Sequence, residues 1–445
     1  AAGSSRATAH SERGRMTRGV FGTAAAALAA ACVVACAAAS PSLLRGGGGA
    51  AASSPFIAAS PSAAAMPTAL LATGLGGLWR STDAFATRTK VIDDLVDKVE
   101  FVGARTVIAT GREIWASRDG GETFTVAYAR KGATTDNTGI TRFSFAEGGQ
   151  VGMAVGMEMD GDSPVGMAFV TTDGGATWTP RPAGNDSYPV GVAALGGVPA
   201  PANPQFAAFM LHMPAEGNVW VSVDVTSDLG ASWQQQSKID TTNLTLQNGY
   251  DADIFATDAK GEALIVTGWS LDGALNSSRG AHNSGILLRS GDSGGSWTRD
   301  VPAINAPVTG NSTFGTTFYE LTCAGKTTGA PVTAAACDSS PMWAAAGSFF
   351  DDDRVGYVAM SKDRGASWAT VHNFDDANLR DIAASPSAPG AVCAVGQLAA
   401  SGPSEPQAAV VSCSRDAGAT WAAAAALPYP PLETRMWESL SLAMA

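Results

Sequence analysis

An eight-residue pattern, [ST]-x-D-x-G-x-[ST]-[WF], recurs seven times along the chain. The copies begin at Ser81, Ser117, Thr171, Thr226, Ser290, Ser361 and Ser414. The first copy, STDAFATR, departs most, with Phe85 at the glycine position and Arg88 at the aromatic position. A motif repeated along a chain indicates similar structural units packed side by side, which excludes most irregular folds.

The chemistry of this octapeptide predicts a tight turn between two strands. An aspartate carboxylate can accept hydrogen bonds from N–H groups of its own turn, and a glycine two residues later allows positive φ. We therefore interpret the aspartates of the seven copies as structural rather than catalytic. They are Asp83, Asp119, Asp173, Asp228, Asp292, Asp363 and Asp416.

Strand-like segments surround each copy and predict four strands per repeat, named a to d, with the octapeptide between c and d. The repeat around Asp119, for example, reads KVEFVG, RTVIATG, EIWASRDG and TFTVAY. The first repeat lacks a strand a, whereas RMWESLSLAMA at residues 435–445 has no repeat of its own. We expect this segment to complete the first repeat and so close a ring without exposed edges.

The octapeptide resembles the Asp-box, or BNR repeat, of sialidase-like β-propellers, which include sortilin-type and photosystem II assembly factor-type proteins. The resemblance spans residues 67–445 and implies an all-β, seven-bladed propeller. In that superfamily the box is structural and lies away from the active site. It therefore implies architecture rather than activity.

The first 66 residues differ from the rest in composition. Residues 1–39 combine arginines with the apolar run VFGTAAAALAAACVVACAAA, which is typical of a secretory signal, and residues 40–66 form an Ala/Ser/Gly/Pro linker. A membrane anchor and a lipidated Cys36 remain alternatives. We expect a secreted or lumenal protein, with membrane contact only through this segment.

Net charge limits the possible partners. The chain carries −12, and residues 1–39 contribute +3, which leaves −15 on the remainder. So acidic a chain is unsuited to sequence-independent binding of nucleic acid. The histidines His212, His282 and His372 lack metal-ligand spacing, and no cofactor fingerprint is present, so we expect neither a metal nor a cofactor.

Four cysteines follow the leader, and an even number in an exported chain indicates two disulfides. The strand layout favours Cys393–Cys413, across the b–c hairpin of the last repeat. It also favours Cys323–Cys337, at the base of an insertion in the sixth.

Polar residues concentrate in the d–a and b–c loops, on the face where sialidase-like enzymes hold substrates. Carboxylates there include Asp160, Asp162, Asp251, Asp253 and residues 351–353. Four N-x-[ST] sequons, at Asn185, Asn243, Asn276 and Asn311, predict glycosylation of the same face.

Three functions remain open. We favour an exported, non-catalytic propeller that binds a protein or glycan on one of its faces. The alternatives are a glycoside hydrolase, of the sialidase-like or xyloglucanase-like type, and a lumenal photosystem II assembly factor. The segment ahead of the first copy lacks the arginine motif of sialidases, and the acidic charge differs from the basic surface of the assembly factors.

Overall fold

A computed structural model describes most of the chain beyond residue 66 and shows an all-β protein, without helix in the part described. The described residues are 67–73, 76–130, 139–160, 163–184, 186–195, 204–214, 220–239, 250–256, 264–271, 283–299, 317–323, 341–347, 355–375, 377–388, 390–398, 408–422, 425–428 and 440–445. The compact unit that carries the strands comprises Ala65–Asp160 and Pro164–Ala445.

The described strands form antiparallel four-stranded blades, numbered here in chain order. Blade one contains β1 (Ala69–Ala72), β2 (Leu78–Ser81), β3 (Thr89–Ile92) and β28 (Ser441–Met444). Blade two contains β4 (Val96–Phe101), β5 (Val107–Gly111), β6 (Ile114–Ser117) and β7 (Thr125–Tyr128). Blade three contains β8 (Ile140–Phe145), β9 (Gly152–Asp160), β10 (Ser163–Thr171) and β11 (Thr179–Pro182).

The later blades repeat this order. Blade four contains β12 (Ser187–Leu195), β13 (Gln205–His212), β14 (Trp220–Thr226) and β15 (Gln234–Ile239). Blade five contains β16 (Tyr250–Ala256), β17 (Leu264–Leu271), β18 (Asn283–Ser290) and β19 (Thr298–Arg299). Blade six contains β20 (Thr317–Cys323), β21 (Met342–Gly347), β22 (Val355–Ser361) and β23 (Ala369–Asp375). One residue pair, Gly268 with Phe318, joins β17 to β20, so that blades five and six form one eight-stranded sheet. Blade seven contains β24 (Ala377–Ala384), β25 (Val392–Leu398), β26 (Ala408–Ser414) and β27 (Ala425–Pro428).

The innermost strands follow one another around a ring. Each of β4, β8, β12, β16, β20 and β24 contacts the next, and β28 contacts both β24 and β4. β28 pairs antiparallel with β1, with Leu71 opposite Leu442 and Ala69 opposite Met444. The all-β propeller closed by the C-terminal strand is thus confirmed, and the arrangement of the described strands agrees with seven blades.

Polar contacts hold β28 between its two neighbours. The Leu442 N–H donates to Asp381 Oδ2 of blade seven at 2.9 Å, and the Val99 N–H of blade two donates to Ser441 Oγ at 3.2 Å. The backbone carbonyl of Ala445 also accepts a bond from Ser387 Oγ at 2.7 Å. The closing strand is therefore tied to the blades on both sides as well as to β1.

The octapeptides adopt one turn geometry in all seven copies. The leading Ser or Thr hydroxyl donates to the aspartate and accepts the N–H at the glycine position, at 2.7–2.9 Å. The glycine has positive φ and packs against the preceding blade. At Gly175, where φ is 84°, a Cβ would lie 2.5 Å from Ile108 Cδ1.

Phe85 replaces this glycine in blade one and has a different role there. Its φ is 65°, unusual for a bulky side chain, yet only 2% of the residue is exposed. It belongs to the apolar cluster between blades one and seven, where blade seven contributes small residues such as Ala383, Ala409 and Cys413. The aromatic ring therefore fills the seam where the ring closes.

The same cluster contains a disulfide between Cys393 and Cys413, which lie opposite each other on β25 and β26 with Cα atoms 4.1 Å apart. Cys323 is also disulfide-bonded. Its predicted partner, Cys337, lies outside the described residues.

One expected loop is largely strand. The segment EMDGDSPV, residues 158–165, is predicted as a b–c loop, but β9 continues to Asp160 and β10 begins at Ser163. The two strands therefore extend the hairpin of blade three into this segment.

Candidate functional site

The octapeptide carboxylates are fully engaged within their own turns. In every copy, one carboxylate oxygen accepts the N–H and the other the hydroxyl of the Ser or Thr four residues later. The hydroxyls of Ser232, Ser296 and Thr420 lower the pKa of Asp228, Asp292 and Asp416 to about 2. These carboxylates stay ionised near neutral pH and act as acceptors that fix the turn.

The carboxylates expected on the opposite face are not brought into one described cluster. Asp160 is exposed at the end of β9, and Asp251 and Asp253 lie on the innermost strand of blade five. Asp162 and residues 351–353 lie outside the described residues, as do His282 and the sequon asparagines Asn185, Asn243, Asn276 and Asn311. Within the described part of the chain, no group of three His, Cys, Asp or Glu residues is placed to hold a metal ion.

Charged residues instead meet on the central axis, because several innermost strands share one irregularity. The pairing register shifts just before Lys98 in β4, Arg142 in β8, Glu320 in β20 and Asp381 in β24. A bulge of this kind re-aims the side chain that follows it. The equivalent bulge in blades two, three, six and seven thus brings an ionic group to the same level of the ring.

Lys98 is the centre of this cluster, which we call the hub. Its Nζ lies 3.0 Å from Glu320, 3.6 Å from Asp381 and 3.8 Å from Glu100. Only 6% of the Lys98 side chain is exposed, and Glu320 and Asp381 are equally buried. Burial lowers the pKa of Lys98, but the carboxylates of Asp381, Glu320 and Glu100 together raise it well above its usual value. Lys98 is therefore protonated near neutral pH.

Beside the hub lies a pocket of about 120 Å³, far larger than the ~10–15 Å³ that one water needs. Its walls include the hub side chains and residues of the a–b connections, among them Ala104, Pro386 and the exposed Ser387. These connections lie on the octapeptide face, since the N–H groups of Gly120 and Ala417 donate to a–b carbonyls. The pocket thus reaches solvent on the octapeptide face.

Glu100 is the hub carboxylate best placed to receive a ligand. Its side chain is 20% exposed, against 7% for Glu320 and 3% for Asp381. Asp381 already accepts the N–H groups of Ile382 and Leu442, whereas Glu100 approaches Lys98 no closer than 3.8 Å. The Glu100 carboxylate can therefore accept hydrogen bonds from a ligand in the pocket.

A second polar pair joins blades two and three. The Tyr128 hydroxyl donates to Glu158 Oε1 at 2.6 Å, and burial together with this carboxylate raises the pKa of the phenol above its ordinary value. A phenolic nucleophile needs a lowered pKa instead. This pair is suited to joining two blades rather than to attacking a glycosidic centre.

No protein-family model and no curated protein sequence matches the chain. Among solved structures, YCF48 bound to D1 peptide is similar at 16% identity and a TM-score of 0.40, with 73% of this chain and 80% of that chain covered. The GH74 xyloglucanase from Xanthomonas campestris shares 14% identity at a TM-score of 0.38, and the match covers 80% of this chain but 57% of the enzyme.

The fucose-recognising lectin of Aleuria aurantia, a six-bladed propeller, shares 12% identity at a TM-score of 0.41, covering 75% and 96% of the two chains. The strand pairing of this chain itself establishes the propeller fold.

Sequence reasoning did not find the hub. Its residues are far apart in the chain, and the stretch VDKVEF resembles an ordinary strand. A usable signal does exist: Lys98, Glu320 and Asp381 are charged residues on innermost strands, where a buried charge is rare unless it is paired.

Proposed function

We propose that this chain is an exported propeller that binds a protein or glycan partner at the hub pocket, and that no chemical turnover takes place at that pocket. The octapeptides would then be Asp-boxes of the sialidase-like superfamily, serving as the frame that positions the pocket. The observation that carries the proposal is the half-buried carboxylate of Glu100 at a pocket on the central axis.

Charge indicates what such a pocket would accept. Its lining carries three carboxylates, of Glu100, Glu320 and Asp381, against the ammonium of Lys98, and the Arg142 guanidinium lies near enough to act on Lys98. Three negative and two positive charges leave one negative charge. An added cationic group, such as a lysine, arginine or amino-sugar group of a partner, would neutralise the remaining negative charge. A hydrogen bond to a charged group contributes about 1.5–3 kcal/mol.

Binding fits the hub better than hydrolysis does. A glycosidase needs one carboxylic acid to give a proton and a second carboxylate to act on the sugar. Here Glu320 and Asp381 are both held by Lys98, and Asp381 also accepts two backbone N–H groups. Both carboxylates are therefore already occupied by contacts within the fold.

Export is supported by the leader composition and by the Cys393–Cys413 disulfide, since disulfides persist in oxidising compartments. We propose a secreted or lumenal location on these grounds. Mass mapping of protein recovered from its host would find Cys393 and Cys413 as free thiols if the location were reducing.

The binding proposal is tested with arrays of immobilised peptides and glycans that include lysine-, arginine- and amino-sugar-containing members. We expect the wild-type protein to bind cationic members and Glu100→Gln to bind them at least tenfold more weakly. Glu147→Gln is the matched control, because Glu147 is exposed in an a–b connection of the same face. Equal binding by both variants, or binding restricted to neutral members, would overturn the proposal.

A further inference from the structure

Blade four contains a chain of hydrogen bonds that the hub does not use. Ser187 Oγ lies 3.1 Å from His212 Nδ1, and His212 Nε2 lies 2.8 Å from Ser222 Oγ. The Ser222 hydroxyl donates to Asp224 Oδ1 at 2.5 Å. Three adjacent strands, β12, β13 and β14, supply these four residues.

The direction of each bond follows from the last one. Because the single hydroxyl proton of Ser222 is given to Asp224, Ser222 can only accept from His212, so Nε2 carries the imidazole proton. The lone pair of Nδ1 then faces Ser187 Oγ and can take its proton. The order is that of a nucleophile, Ser187, a general base, His212, and a hydroxyl–carboxylate pair that orients the base.

Burial decreases along the same chain. Ser222 is 0% exposed and Asp224 7%, whereas His212 and Ser187 are only partly buried. The Trp220 ring stacks on the His212 imidazole with centroids 3.7 Å apart, which restricts rotation of the base. The orienting groups are thus protected while the hydroxyl of Ser187 is near the surface.

We propose that Ser187 and His212 form a second site that hydrolyses small carboxylic esters. Ser187 Oγ would attack the ester carbonyl carbon while His212 Nδ1 takes the hydroxyl proton. That proton then passes to the departing alcohol, which leaves the acyl group on Ser187. Water, deprotonated by the same nitrogen, releases the acid and restores the serine.

Two charged groups act on the base from neighbouring strands. Burial lowers the pKa of His212, the Asp224 carboxylate on β14 raises it and the Lys238 ammonium on β15 lowers it, with a net decrease below 6.5. The imidazole is therefore neutral, and able to accept a proton, at neutral pH. The rate should rise with pH, with its midpoint below 6.5.

The test uses the intact protein with p-nitrophenyl acetate as substrate and a fluorophosphonate as covalent probe. We expect the probe on Ser187 by peptide mapping, and a turnover that disappears in Ser187→Ala. His212→Gln should slow labelling at least hundredfold, since a general base contributes about 10²–10⁴ in rate. Asp224→Asn should slow turnover and move the pH midpoint.

Ser227→Ala is the control, because Ser227 is an exposed serine in the octapeptide turn of the same blade. It should leave labelling and turnover unchanged. The wild-type protein alone can refute the proposal, if the probe does not modify Ser187 or modifies it no faster than it modifies Ser227. Labelling of Ser187 that persists in a folded His212→Gln variant would also overturn it.

Discussion

Lys98 Nζ lies 3.0 Å from Glu320 Oε2, although the two residues are on blades two and six. The same ammonium lies 3.6 Å from Asp381 on blade seven, so one cation links three blades across the axis. Blade one, whose innermost strand is β28, lies between blades seven and two. The ion cluster therefore spans the point at which the ring closes.

The first prediction concerns this cation. Lys98→Met should lower the free energy of unfolding by about 3–5 kcal/mol, because it leaves buried carboxylates without a partner. Urea unfolding followed by tryptophan fluorescence measures the change. Lys362→Met removes an exposed lysine as a control and should change stability by less than about 0.5 kcal/mol. Similar effects for the two variants would contradict the role of Lys98.

The second prediction concerns the octapeptide glycine. Gly175→Ala should destabilise the protein by about 1–3 kcal/mol, because the added methyl meets Ile108 of the preceding blade and φ is 84°. Gly120→Ala tests the backbone cost alone, since φ is 80° but a Cβ there meets nothing within 4 Å. The melting temperature of Gly175→Ala should be clearly lower than that of Gly120→Ala. The reverse order would refute the packing of Gly175 against Ile108.

The third prediction concerns acid. Asp228, Asp292 and Asp416 have pKa values of about 2 in the folded protein, against an ordinary value of 3.8. Because these values are lowered, their contribution is present above about pH 4 and is lost as pH falls through 2. Stability measured by urea unfolding should therefore decrease between pH 4 and pH 2. Asp416→Asn should make the free energy of unfolding depend less on pH. A wild-type free energy of unfolding that does not change between pH 4 and pH 2 would contradict the prediction.

The fourth prediction concerns the disulfide in the closing seam. Replacing Cys393 and Cys413 by serine should cost about 3 kcal/mol, given the 20-residue separation of the bonded cysteines. Phe85 packs in the same cluster, so a loosened seam should also expose its ring. Denaturant unfolding measures the loss in free energy of unfolding. The rate of proteolysis near residue 85 measures how far the seam has opened. An unchanged midpoint in the double variant would count against a stabilising bond.

The fifth prediction concerns β28. Deleting residues 440–445 should leave β1 as an open edge and make the whole ring unfold less cooperatively. Adding a peptide of residues 439–445 should restore stability, whereas the same peptide with Leu442→Pro should not, because it lacks the N–H that Asp381 accepts. Rescue by both peptides would show that the pairing is not specific.

Much of the frame could be predicted because it is local. The octapeptide determines its own turn, and the strand-like segments on both sides of it determine the neighbouring strands. The positions of β1, β28 and the Cys393–Cys413 hairpin could therefore be predicted from the sequence. EMDGDSPV was wrongly expected to be a loop, because its polar residues suggested one, whereas β9 and β10 both extend into it.

The two candidate sites depend on non-local geometry. Lys98 and Glu320 meet only after bulges on separate strands orient both side chains. Ser187 faces His212 only because β12 and β13 pair in the observed register, and a shift of one residue would turn them to opposite faces. Periodicity alone cannot supply that register.

The pairing of β1 with β28 also has a kinetic consequence. The two strands are about 370 residues apart in the chain, and such long-range pairing slows folding. During synthesis the first blade remains three-stranded until β28 has emerged. Ring closure is then a late step in folding. A chaperone that covers the edge of β1 until then would prevent this edge from pairing with strands of other chains.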